Sequence, residues 1–140
     1  MVFRKSGEND YVLRLEKGEE VMEALRVFAA EAGIGCGSVT GIGATDDTVL
    51  GVYDMGKKAY HENEYTVPME ILSLTGNISV KDDEAYIHMH AVVADETGIA
   101  KGGHILRMRI SLTAEIFVRV LPGELNRKLD DELGINLIQP

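Results

Sequence analysis

The chain changes character across Gly33-Ile34-Gly35-Cys36-Gly37-Ser38-Val39-Thr40-Gly41-Ile42-Gly43-Ala44. Before this stretch, Val21, Leu25, Phe28, Ala29 and Ala32 recur at three- and four-residue steps and form one apolar stripe. Gly18-Glu19-Glu20 puts acids in the first turn, where the helix dipole favours them, and Gly33 suits the left-handed residue that closes a helix. The spacing predicts a helix over about 19–32. After the stretch, nearly everything up to Pro122 reads as strand and turn. The glycines themselves suggest a phosphate-binding loop, but such a loop follows a strand and opens a helix. This one follows a helix and leads into a strand, so its glycines read as close backbone approach or bulges in a bent strand.

Working outward, Val39–Ala44 is a strand, and Thr48–Asp54 and Lys58–Thr66 form a hairpin around Met55-Gly56-Lys57. Met69–Val80 and Ala85–Ala94 are strands joined by the charged turn Lys81-Asp82-Asp83-Glu84. A loop over Asp95–Gly103 leads to strands at Ile105–Arg109 and Thr113–Leu121. At the N-terminus, Val2–Lys5 suits an edge strand, and Tyr11–Leu15 reads as another. At the C-terminus, Leu125, Leu129 and Leu133 stand four apart, which predicts a short helix closed by Gly134, with a last strand at Ile135–Ile138. The connections are too short for parallel crossovers. The expected class is therefore α+β: a single domain over 1–140 with a mainly antiparallel sheet, one long N-terminal helix and one short C-terminal helix.

Composition narrows the function. The chain has 140 residues, with 14 Lys+Arg against 23 Asp+Glu, a net charge of −9. A surface that binds nucleic acid needs a basic surplus to displace counterions, and an anionic membrane repels an acidic protein. Direct nucleic-acid binding and membrane docking are both disfavoured. Cys36 is the only cysteine, so no disulfide framework exists, which fits a reducing compartment. No apolar signal segment follows Met1, and no apolar run approaches a membrane span. The expected location is the cytoplasm.

Chemistry concentrates at the histidines. His88-Met89-His90 lies within a strand, whose two-residue period puts both imidazoles on one face with Tyr86 and Val92. If the following strand returns antiparallel, His104 comes back toward that pair. Three neutral imidazoles with an open fourth position suit Zn²⁺ or another divalent transition metal. The alternative is a pair of polar residues facing solvent or a subunit interface. Asp95 and Glu96, just past this strand, are candidate catalytic acids, able to orient an imidazole or act as a general base, or are simply exposed. Cys36 is better read as a small buried hydrophobe than as a ligand, and His61 as a surface residue. Arg107 and Arg109 share a strand face and suit an anionic ligand or acids across a subunit boundary. No serine sits in a nucleophile-elbow pattern.

The run His88-Met89-His90, Asp95, Gly98, Gly102-Gly103-His104 resembles the signature of the PPC domain family (plants and prokaryotes conserved, also called DUF296). The order of the early strands, the amphipathic helix, the glycine-containing strand Ser38–Ala44 and the late strand Ala114–Leu121 is similar over essentially the whole chain. The resemblance implies a homotrimer with a metal at His88, His90 and His104 close to a subunit boundary. It also implies the DNA-binding label that many relatives carry. The basic AT-hook segment that precedes the domain in land plants has no counterpart before Val2. Two functions are therefore expected. One is a homotrimeric assembly or regulatory module with a histidine-lined metal or small-ligand site and possible protein partners. The other is a small Zn-dependent hydrolase or lyase acting on a polar metabolite.

Overall fold

A computed structural model describes residues 1–140. The strands are β1 (Val2–Lys5), β2 (Asp10–Glu16), β3 (Gly37–Asp54), β4 (Ala59–Tyr65), β5 (Met69–Lys81), β6 (Glu84–Ala94), β7 (Ala100–Val120), β8 (Arg127–Asp130) and β9 (Ile135–Ile138). The one helix, α1 (Val21–Ala32), lies between β2 and β3. Seven strands form one sheet in the order β1-β2-β7-β6-β5-β3-β4, every pairing antiparallel. β7 also pairs with β3, so β3, β5, β6 and β7 close into a ring of pairings.

Closure requires long strands that bend. β3 and β7 run 18 and 21 residues, each spanning what the sequence pattern divides into two strands. The register of β3 slips around Gly41, Gly43, Thr45 and Asp47, which marks bulges. At Gly43 a Cβ would lie 2.6 Å from the Thr113 carbonyl oxygen, so the close approach of β3 to β7 requires glycine there. The ring interior is filled by residues such as Val39, Leu50, Ile71, Leu74, Ile78, Met89, Ile105, Met108 and Ile116, all buried.

α1 is shorter than the expected span because Glu19 and Glu20 bond to the sheet. The Ile110 N–H donates to the Glu19 carbonyl, and Glu20 Oε1 accepts from the Met108 N–H at 2.9 Å. Glu20 caps the helix by accepting from the Glu23 N–H, and Gly33 closes it in the left-handed conformation with φ 64°. Val21, Leu25, Phe28 and Ala29 bury its apolar stripe, and Phe28 meets Phe3 and Tyr11 edge-on.

The α+β expectation is overturned. The chain is 65% strand and 9% helix, the N-terminal helix is short, and there is no C-terminal helix. Residues 125–133 instead enter an antiparallel hairpin of β8 with β9. Three leucines at four-residue spacing do not nucleate a helix unless a core receives them, and Leu129 is 52% exposed. Turn chemistry wins: Asp130 Oδ1 accepts from the Leu133 N–H at 2.8 Å, and Gly134 adopts φ 72°. The Asp95–Gly103 loop is also shorter than expected, since β7 already begins at Ala100. No helix is long and apolar enough to cross a membrane.

This packing yields contrasting expectations for two substitutions. A Cβ on Gly76 would fall 2.0 Å from the His88 carbonyl oxygen and 2.5 Å from Met89 Sδ. Gly76→Ala should therefore lose about 2 kcal/mol or more of stability, as overpacking forces β5 from β6. Leu129→Ala, at an exposed hairpin position, should lose under about 1 kcal/mol. Chemical denaturation distinguishes the two.

Candidate functional site

Strand period and register assemble the site. Ile87, Met89, Ala91 and Val93 point from β6 toward the interior, which turns Tyr86, His88, His90 and Val92 outward. β6 and β7 pair with His90 directly opposite His104. On the other side, β5 places Asn77 opposite His88 and Ser79 opposite Tyr86. Gly51 of β3 also pairs with His104, and its missing Cβ matters: that atom would lie 2.6 Å from the Tyr60 ring. Tyr60, on β4, instead lies across Gly51 and stacks on the His104 imidazole at 4.8 Å and 17°.

The three imidazoles meet. One nitrogen of each lies within 4.8 Å of the others, so His88, His90 and His104 can hold a metal ion. His88 Nε2 and His90 Nε2 are 3.2 Å apart. His88 Nδ1 faces Arg127 Nη2 at 3.4 Å. Arginine can only donate, so in the metal-free chain Nδ1 of His88 accepts and its Nε2–H donates to Nε2 of His90. A metal on Nε2 would require the other tautomer of His88, with its hydrogen on Nδ1, and would release Arg127 Nη2 from that long contact. His104 Nδ1 is buried without a hydrogen-bond partner, which leaves a bond to be completed from outside the chain. No Asp, Glu or Cys joins the group. The donor set is therefore three nitrogens, which fits Zn²⁺ and its neighbours among the divalent transition metals.

Other expected residues lie elsewhere. Asp95 caps its own loop, accepting from the Thr97 N–H at 2.9 Å and from the Thr97 hydroxyl. At ~3.3 Å per residue, the end of β6 at Ala94 stands roughly 13 Å beyond His90, and Asp95 and Glu96 follow it. Cys36 is buried, and His61 is exposed on β4 opposite Val52. Arg107 pairs with Asp47 and Glu64, and Arg109 with Asp46, all within this chain.

The sequence pattern did not point to Arg127, Tyr60 or Asn77. Arg127 lies on β8, and four groups of this chain hold it. Nε donates to Ser79 Oγ at 2.8 Å, Nη1 to the Asn136 carbonyl at 2.7 Å and Nη2 to Asn77 Oδ1 at 2.8 Å. The guanidinium also sits 4.7 Å from the Tyr86 ring centroid. The hairpin is tied down a second time where the Tyr53 hydroxyl donates to the Leu133 carbonyl at 2.7 Å.

Burial dominates the electrostatics. It pushes His104 down to about 4, with the neighbouring His88 and His90 adding to the effect. His88 is lowered first by burial, then by the charge on Arg127 and by His90. Both imidazoles are therefore neutral at pH 7, as metal ligation requires. Between pH 6.5 and about 4, an unfolded chain protonates this histidine and the folded chain does not. Metal-free protein should thus lose stability from this group as pH falls through that window, with no further loss below it. The melting temperature of His104→Gln in chelator should fall less steeply over the same range than that of the wild type.

Among curated proteins no match is found. Solved structures are similar over nearly the whole chain. A candidate DNA-binding protein from Bacteroides thetaiotaomicron is 31% identical, with a TM-score of 0.94 over 99% of this chain and 96% of that one. A metal-containing protein from Archaeoglobus fulgidus is 34% identical, with a TM-score of 0.88 over 100% and 99% of the two chains. A plant- and prokaryote-conserved protein from Pyrococcus horikoshii is 30% identical, with a TM-score of 0.88 over 94% and 91%. Residues 3–122 match the Plants and Prokaryotes Conserved (PCC) domain, the family denoted PPC above. The chain, with its inward-facing apolar strands and its outward histidines, belongs to the Plants and Prokaryotes Conserved domain family.

Proposed function

We propose that this protein is a homotrimeric assembly and regulatory module of the cytoplasm that holds a divalent transition metal, Zn²⁺ first, at His88, His90 and His104. The observation that carries this reading is the convergence of three imidazoles on one outward face, with no carboxylate among them. The similarity to a metal-containing archaeal protein supports it. When bound, such an ion acts as a Lewis acid toward an oxygen ligand. The chain's own part is to keep the imidazoles neutral and aligned: Tyr60 packs flat on His104, and Arg127 stands against His88.

The same site suits the alternative of a small zinc enzyme, but the local chemistry favours it less. The groups around the imidazoles are tyrosines, amides and an arginine, while Asp95 and Glu96 sit at the far end of β6. Some relatives carry a DNA-binding name. With a net charge of −9, this chain's association with DNA would run through a partner that supplies the phosphate contacts.

Self-association is supported by apolar side chains left outside the ring. Leu112 is 71% exposed, Phe117 56%, Ile42 55% and Leu72 52%. Ile42, Leu72 and Leu112 line one groove across β3, β5 and β7. A second copy of the chain would cover such a surface.

Two measurements test these proposals. Protein purified without chelator should carry one divalent transition metal per chain by elemental analysis, and His88→Ala/His104→Ala should carry none. Metal-free wild-type protein that takes up no Zn²⁺ on addition would end the metal assignment. Light scattering at micromolar concentration should give the mass of three chains, and Leu112→Asp should lower it. A wild-type monomer would remove the assembly role.

A further inference from the structure

Arg127 is set apart from the other arginines that the fold engages. Arg14, Arg26, Arg107, Arg109 and Arg119 each pair with an acid. Arg127 is half-buried, and its partners are a hydroxyl, a backbone carbonyl, an amide oxygen and an imidazole, all uncharged. These contacts fix the guanidinium without neutralising it. Of its five N–H groups, one on Nη1 is uncommitted, and the one toward His88 spans a long 3.4 Å. Arg127 also lies beyond residues 3–122, the part that matches the family.

The charge balance at this point is one-sided. Three neutral imidazoles offset none of a dication's charge, and no carboxylate joins them. A dication beside a fixed guanidinium in a half-buried setting is repulsive, more so than in bulk water. An oxyanion touching both removes the repulsion, and guanidinium is the side chain best matched to such oxygens. We infer that Arg127 makes the histidine site selective for the oxyanion of a small acid, a carboxylate or a phosphate, bound against both the metal and the guanidinium. This rests on the proposal that the imidazoles hold a metal. Arg127 is thus a specificity residue of the site, and the β8–β9 hairpin is the element that brings it there.

The test uses full-length protein loaded with Co²⁺, whose visible absorption reports a change of ligand. Acetate, inorganic phosphate and the neutral acetamide are titrated separately. Acetate or phosphate should shift the bands and acetamide should not. The tighter of the two anions identifies the acid class. Arg127→Gln should take up Co²⁺ at least as well as wild type, yet bind the anion roughly tenfold more weakly, the loss of a charge-assisted hydrogen bond. Arg127→Lys, which keeps the charge and loses the fork, should lie between. Should Arg127→Gln not fold, Arg127→Lys against wild type supplies the comparison. Equal response to acetate and acetamide, or unchanged anion binding in both variants, overturns the inference. Co²⁺ uptake with no anion response overturns it alone, whereas no Co²⁺ uptake overturns the metal proposal with it.

Discussion

The pairing of β7 with both β6 and β3, beyond its pairing with β2, is the constraint on which the rest depends. Its first residues pair with β6 and most of its length pairs with β3, and this closes the ring that buries the core. The same register sets His104 opposite His90 and beside Gly51. A one-residue slip of β7 would turn His104 inward and Ile105 outward, because side chains alternate along a strand. Core and site are therefore two faces of one pairing. The apolar face holds the register, and the polar face inherits its geometry.

Around that frame, two kinds of residue refine the site. Gly51 and Gly76 let strands and rings approach more closely than any Cβ allows, and this is how Tyr60 reaches His104. The C-terminal hairpin then adds the one strong positive charge. It has little core of its own, since every residue of β8 and β9 is exposed or half-buried. Its position comes from polar ties at Arg127 and Leu133. A charge held by neutral acceptors keeps its field, and that field falls on His88.

Much of this was legible residue by residue. Strict alternation in Tyr86–Val92 pointed both imidazoles to one side, because the period of a strand is two. The apolar stripe of α1 and the turn at Met55-Gly56-Lys57 were equally plain. The end of the chain misled: Leu125, Leu129 and Leu133 have helical spacing, but spacing predicts a helix only where a core receives it, and here turn bonding at Asp130 decided otherwise. The loop acids Asp95 and Glu96 were near the histidines in sequence and not in space, since an extended strand moves about 3.3 Å per residue.

The amino-acid sequence by itself determined the period of most strands, the N-terminal helix and its glycine stop, the acidic balance, and which histidines share a face. These depend on local spacing and composition. Only the tertiary structure decided that β3 and β7 each run unbroken through a bend, that His104 stands opposite His90, and that Tyr60 and Arg127 arrive from distant segments. Those contacts join residues tens of positions apart, and their geometry follows from sheet closure and hairpin anchoring, which no local pattern of side chains encodes.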